Sequence, residues 1–216
     1  MRNLSKRQFI QGAGALAAGL GAPALLRAQP VTIRWGDSLA TTHPQVIMAE
    51  RIAKDVKEKS GGRIDIQVFP NGQLGTGKDM VEAVSSGALQ LTTEGAGAVG
   101  AFLPQLSLIE APYLWRDAAH MAKVAGSPIF AKMNDDLVAK RGMRMMAVTY
   151  YGRRHLTTGK KEVRTPADMV GFKLRVPPVD TFLAMAEAWG ARATPIAFSE
   201  LYLALSQGAV DGQENP

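Results

Sequence analysis

The sequence predicts an α/β fold with largely parallel sheets, and the order of its strand-like and helix-like stretches carries that prediction. Residues 31–35 read as a strand, a helix follows from Pro44, and Ile64, Ile66 and Val68 then alternate with Asp65 and Gln67 at the two-residue period of a second strand. Strand, helix, strand at this spacing is a β-α-β unit, whose two strands lie parallel. The same alternation returns further along, with glycines and prolines at the junctions.

In order, the first helix begins at Pro44, which suits a first turn, and ends at Gly61-Gly62. Ile47, Ile52 and Val56 are expected on its buried face, with Lys54, Lys57 and Lys59 in water. Residues 72–77 form a loop, 78–86 a short helix and 89–93 a strand. Helices are expected over 117–125 and 128–141, the second capped by Ser127 and closed by Gly142. Residues 143–150 read as a buried strand in which Met143, Met145 and Met146 fill the core. Thr165-Pro166-Ala167-Asp168 combines a cap, a first-turn proline and an acid at the third position, so a short helix starts there. Residues 173–177 make a strand, 181–189 a helix stopped by Gly190, and Ser199 is expected to cap a helix through Gln207. Another strand begins at 209–212.

The 216 residues, 46% of them hydrophobic, supply enough apolar surface for a folded core. Net charge is +6, but Arg2, Lys6, Arg7 and Arg27 fall in the first 28 residues, where there is no acid. The remaining 21 basic residues face 19 acidic ones, which removes most support for nucleic-acid binding. There is no cysteine, hence no disulfide, thiolate metal site or cysteine nucleophile.

Residues 1–28 have the layout of a cleaved export signal: a basic start, an apolar stretch from Gly12 to Leu26, and small residues towards Ala28. At about 15 residues that stretch falls short of the ~20 needed to span a bilayer. Ser5-Lys6-Arg7-Gln8-Phe9-Ile10 is similar to the twin-arginine export motif with lysine at the first arginine, so both the twin-arginine and the general secretory route stay open.

Gly95-Ala96-Gly97-Ala98-Val99-Gly100 matches a dinucleotide fingerprint on its face. Two strands precede it and Pro104 follows closely, so no long helix opens from it; small residues where backbone approaches backbone is the better reading, and no cofactor is expected. His43, His120 and His155 lack ligand spacing, so no metal is expected. No Gly-x-Ser-x-Gly or paired-carboxylate motif marks a nucleophile or a general base, and no catalytic residue is assigned.

Lys173-Leu174-Arg175-Val176-Pro177 poses a different question, because its apolar residues bracket a single arginine. A guanidinium there must reach the surface, pair with an acid such as Asp168 or Glu200, or await an anion. Upstream lies Gly152-Arg153-Arg154-His155-Leu156-Thr157-Thr158, and downstream Glu200-Leu201-Tyr202-Leu203-Ala204-Leu205 and Gly212-Gln213-Glu214-Asn215-Pro216. Together these stretches resemble the DctP-like substrate-binding proteins of TRAP (tripartite ATP-independent periplasmic) transporters. The resemblance implies a two-lobed, type II-like periplasmic binding fold with the substrate between the lobes. It divides the chain into the signal at 1–28, a first α/β lobe at 29–150 and a partial second lobe at 151–216, so that the chain is expected to be a fragment lacking the C-terminal part.

The resemblance also implies roles. Arg175 matches the arginine that grips a substrate carboxylate with both arms of its fork, a geometry lysine cannot reproduce. Arg154 matches a second cationic contact and Asn215 an amide that hydrogen-bonds substrate, unless Asn215 is simply a frayed end. Glu94, which follows a strand, matches a position where some relatives carry an acid that meets substrate hydroxyls or an amine. The implied function is a periplasmic receptor that binds a small organic acid and delivers it to the TRAP membrane subunits without chemistry. An exported α/β enzyme acting on a small anion, or an ABC-type solute-binding protein, are the alternative readings.

Overall fold

The computed structural model of the chain describes residues 29–216; the export signal expected at 1–28 lies outside the described residues. In chain order the elements are β1 (Val31–Asp37), α1 (Pro44–Lys59), β2 (Ile64–Phe69), α2 (Gly77–Ser85), β3 (Leu91–Thr93), α3 (Ala96–Gly100), α4 (Ala118–Ala125), α5 (Pro128–Arg141), β4 (His155–Thr158), β5 (Lys173–Val176), α6 (Asp180–Ala188), β6 (Arg192–Pro195), α7 (Leu201–Ser206) and β7 (Gly212–Asn215), with 3-10 turns at Pro104–Glu110, Pro166–Met169 and Phe198–Glu200. The fold class is α/β, as the strand–helix alternation predicts.

The strands form two sheets. One is wholly parallel in the order β2-β1-β3; the other, in the order β4-β7-β5-β6, is parallel except where β4 runs against β7. Each sheet has its own packing. Val81, Ala98, Leu103, Leu106, Leu137 and Met143 cluster around α2, α3 and α5, whereas Phe172, Leu174, Val176, Phe182, Met185 and Ala186 cluster between β5 and α6.

Local chemistry sets the ends of these elements. Thr76 and Asp79 cap α2 reciprocally, Thr76 Oγ1 accepting from the Asp79 amide while Asp79 accepts from the Thr76 amide. Thr165 and Asp168 do the same for the turn at Pro166–Met169, and Ser127 caps α5, which Gly142 closes in the left-handed region at φ 66.

Several expectations need correction. The buried face of α1 is built by Val46 and Ala49, while Ile47 and Ile52 are exposed. Residues 143–150 form no strand: Met143 is buried, but Met146 is 77% exposed and the segment has no ladder partner among the described residues. An apolar run becomes a strand only where a neighbour takes its N–H and C=O groups. Ser199 makes no cap for α7; Phe198–Glu200 continues as a 3-10 turn into the helix, and Glu200 holds the cap position without a side-chain bond. β4, β6 and the turn at Pro104–Glu110 are present without having been predicted from periodicity.

Gly212 shows how closely the second sheet is fitted. It stands opposite Thr158 on β4 and Leu174 on β5, and a methyl group on it would press on the Thr157 carbonyl and stand 2.8 Å from Phe172 Cζ. The backbone oxygen cannot swing away, so Gly212→Ala is expected to destabilise the fold by about 1 to 3 kcal/mol. Equilibrium denaturation measures this, and unchanged stability would show that β4 can yield.

Candidate functional site

Acids at the ends of β1 and β3 share an electrostatic neighbourhood with Tyr151 and Arg154, before β4, while Arg175 lies in β5 within reach of Glu214 on β7. Parallel strands direct their C-terminal ends, and the loops that follow, to one edge of the sheet, which is where ligands collect in open α/β folds.

Arg175 sits in the middle of β5, paired in register with Thr194 and Gln213, and is 1% exposed. Its Nε donates to the Ile196 carbonyl at 2.8 Å, and its guanidinium carbon lies 5.8 Å from the centre of the Phe198 ring. None of the ion pairs found among the described residues includes it. Asp168, one of the acids that could have engaged it, is turned instead to Thr165 and the Arg164 amide. Burial pulls Arg175 down to about 10, opposed by the nearby Glu214 charge and reinforced by Arg154, so it remains a cation at neutral pH. A buried cation without a partner carboxylate is costly unless an anion completes it. No buried side-chain nitrogen or oxygen among the described residues lacks a hydrogen bond, which places the unbonded arms of the fork at the solvent boundary.

Arg154 precedes β4, whose antiparallel register sets His155 opposite Asn215 and Leu156 opposite Glu214. Its fork is occupied by a protein carboxylate: Nε meets Glu214 Oε2 at 2.5 Å and Nη2 meets Oε1 at 2.8 Å, over the Phe182 ring at 4.9 Å. Nη2 also donates to the Glu214 carbonyl at 2.9 Å and to Asn215 Oδ1 at 3.0 Å. Asn215 is therefore no frayed end; it is a strand residue whose amide is oriented by Arg154 and which donates to Gln213 Oε1. Gly152 and Pro216 close the same corner, a methyl on Gly152 falling 2.7 Å from the proline Cβ.

Glu94 follows β3 and accepts a hydrogen bond from Ser38 Oγ at 2.6 Å. Burial pushes it up to about 7, the neighbouring Asp37 and Glu110 charges adding to the shift against that bond. Asp37, fully buried at the end of β1, accepts from the Leu39 amide and Gln45 Nε2, both at 2.8 Å, and burial raises it too. Tyr151 is close enough to Arg154, Asp37 and Glu94 to feel all three, and its ring lies tilted against His43, the centroids 5.7 Å apart.

Asp37, Glu110, Tyr151 and Glu214 are site residues that sequence reasoning did not single out. Glu214 lies inside a quoted motif, so its signal was present; Glu110 ends a 3-10 turn with no periodicity to announce it. The glycines at 95 and 97 make room for a side chain rather than for backbone alone. A methyl on Gly97 would stand 2.5 Å from Glu110 Oε2 and 2.9 Å from Val179 Cγ1. Their helix, α3, has only five residues and opens no nucleotide site. His43 caps α1 and His120 packs edge-on to Trp115; among the described residues no group of side chains could hold a metal.

Two sheets flanked by helices and a buried arginine with no ion-pair partner among the described residues make a site that can take an anion. Residues 35–216 match the bacterial extracellular solute-binding protein family 7, DctP, and the chain belongs to that family. A solute-binding protein of Verminephrobacter eiseniae is 37% identical over 189 residues, 88% of this chain and 56% of its own. The sialic acid-binding periplasmic protein SiaP of Vibrio cholerae is 32% identical over 86% of this chain and 57% of its own. Among solved structures, a TRAP periplasmic solute-binding protein of Roseobacter denitrificans with bound L-galactonate superposes with a TM-score of 0.81 at 32% identity, covering 87% of this chain and 62% of that one. The chain thus spans rather over half the length of these relatives.

Proposed function

We propose that the whole protein is an extracytoplasmic receptor of a TRAP transporter, which closes on a small organic acid and passes it to the membrane subunits without chemical change. On this reading residues 1–28 direct export, 29–150 belong to the first lobe and 151–216 to the second. The observation that carries it is Arg175: buried, cationic, held by a backbone carbonyl and an aromatic ring, and paired with no carboxylate among the described residues. Its open arms suit a ligand carboxylate. Arg154 and Asn215 enter as a linked pair, Arg154 orienting the amide that meets the ligand, and Glu94 faces the ligand's hydroxyl or amine groups from the other sheet.

Those features favour an acid that also carries hydroxyls, in keeping with the L-galactonate held by the Roseobacter relative and the sialic acid named for the Vibrio one. A thermal-shift screen tests the reading. At 100 times its Kd a true ligand is expected to stabilise the protein by about 2.7 kcal/mol. L-galactonate, sialic acid and C4-dicarboxylates form the first panel, with galactitol as the uncharged control. No shift with any acid, or an equal shift with galactitol, would remove the carboxylate reading, and turnover of a bound acid would make the protein an enzyme.

A further inference from the structure

Glu110 has no part in the reading above, yet its placement is specific. Its Oε2 accepts from the Gly97 amide at 2.7 Å, its carboxyl group fills the space left by Gly95 and Gly97, and a methyl on Gly97 would also stand 2.9 Å from Val179 Cγ1, just before α6. The turn that ends in Glu110 packs on α6 itself, so this carboxyl lies where the two sheets' elements meet. Glu94 has a parallel setting: one oxygen accepts from Ser38, and its carboxyl carbon would lie 2.8 Å from a methyl on Gly77.

We propose that Glu110 is a further specificity-determining residue of the cleft, forming with Glu94 a two-carboxyl wall that takes up a proton when an anionic ligand is bound. This rests on Arg175 being the ligand's anchor. Ser38 bonds Glu94 directly, and the charged groups within electrostatic reach of the two carboxyls are Asp37 at the end of β1, Tyr151 and Arg154 before β4, and Glu214 on β7; His43 acts on Asp37. Neither Glu94 nor Glu110 forms an ion pair with any described residue. Burial raises Glu110 above the ordinary carboxyl range and Glu214 adds to this, while the Gly97 amide and Arg154 act in the opposite sense.

Adding a ligand anion brings another negative charge and expels water, and both changes favour the protonated carboxyl. A group that holds its proton more tightly in the complex than in the free protein takes one up on binding, so affinity falls as pH rises through the interval between the two states. With Glu94 near 7 in the free protein, that interval runs upward from about neutrality. A protonated carboxyl also donates a hydrogen bond, so the wall would present donors as well as acceptors to a hydroxy acid. A ligand that offered an ammonium group to the wall would hold the carboxylates ionised, release protons and reverse the slope.

Calorimetry of the complete protein with L-galactonate, at pH 6.0 to 8.5 and in buffers of different ionisation heat, reads proton uptake directly. The expected result is net uptake near neutral pH, with Kd rising up to about tenfold per pH unit for each proton taken up. Glu110→Gln, an uncharged analogue of the protonated acid, is expected to bind more tightly than the wild type at pH 8.5 and to lose part of the uptake. Uptake that is absent, reversed, or unchanged in Glu110→Gln overturns the proposal. The carboxyl resonance of Glu110 in the free protein gives an arm that needs neither ligand nor variant: titration at the ordinary value of about 4.3 would also overturn it. If Arg175→Ala abolishes binding while wild-type affinity is independent of pH, the proton coupling fails and the anchor reading stands. If Arg175→Ala binds normally, the anchor reading fails first.

Discussion

Arg175→Ala is expected to abolish measurable binding of the protein's acid while leaving most of the folded protein intact. The affinity loss follows from stranding a carboxylate in a closed cleft without its counter-charge, a cost of about 3 to 5 kcal/mol, or roughly 150- to 5,000-fold in Kd. Stability should respond much less. Removing Arg175 breaks its bond to the Ile196 carbonyl and opens a void beside the Phe198 ring, but it also relieves the burial of an unpaired cation. Arg175→Lys keeps the charge without the fork and is expected to restore only part of the affinity. Melting temperature and Kd measured on the same sample decide the matter: a protein that melts early yet binds its acid as before would make Arg175 a structural residue.

Lys173-Leu174-Arg175-Val176-Pro177 was legible in the sequence because local rules sufficed. Apolar residues on both sides of one arginine require a buried strand, and the capping box at Thr165 and Asp168 is a matter of four consecutive residues. Arg175's fate was not narrowed by them: Asp168 stayed open as its partner until the structure showed that acid committed to the Thr165 cap. What depended on partners remote in sequence was not legible. Residues 143–150 are as apolar as a core strand, but pairing decides, and no described segment supplies it. The face of α1 failed for a geometric reason: at about 100° per residue Ile47 points roughly 140° away from Ile52, whereas positions 46, 49 and 53 share one stripe. Arg154 was read as a ligand contact by position in a motif. Its engagement with Glu214, 60 residues later, depends on the register of β4 against β7, which no local pattern encodes.

That engagement predicts an asymmetric pair of stability losses. Glu214 is almost wholly buried, whereas the Arg154 side chain is 31% exposed, so their removals leave different things behind. Arg154→Ala leaves a buried carboxylate whose charge is felt by Arg175 but which has no ion-pair partner among the described residues, and is expected to cost about 3 to 5 kcal/mol. It also releases Asn215 Oδ1 and the Glu214 carbonyl, both held by the same nitrogen. Glu214→Ala leaves an arginine that can still reach water and rest on Phe182, and is expected to cost less, about 1 to 3 kcal/mol. Replacing both with apolar residues, Arg154→Met with Glu214→Leu, should recover much of the loss, because neither charge is then stranded. Denaturation of the wild type, Arg154→Ala, Glu214→Ala and the double alanine variant gives the coupling energy as a double-mutant cycle. A coupling below about 0.5 kcal/mol would make this a surface pair of little consequence. A large coupling would make the Arg154–Glu214 pair the clasp that holds β4 on β7 and fixes the Asn215 amide.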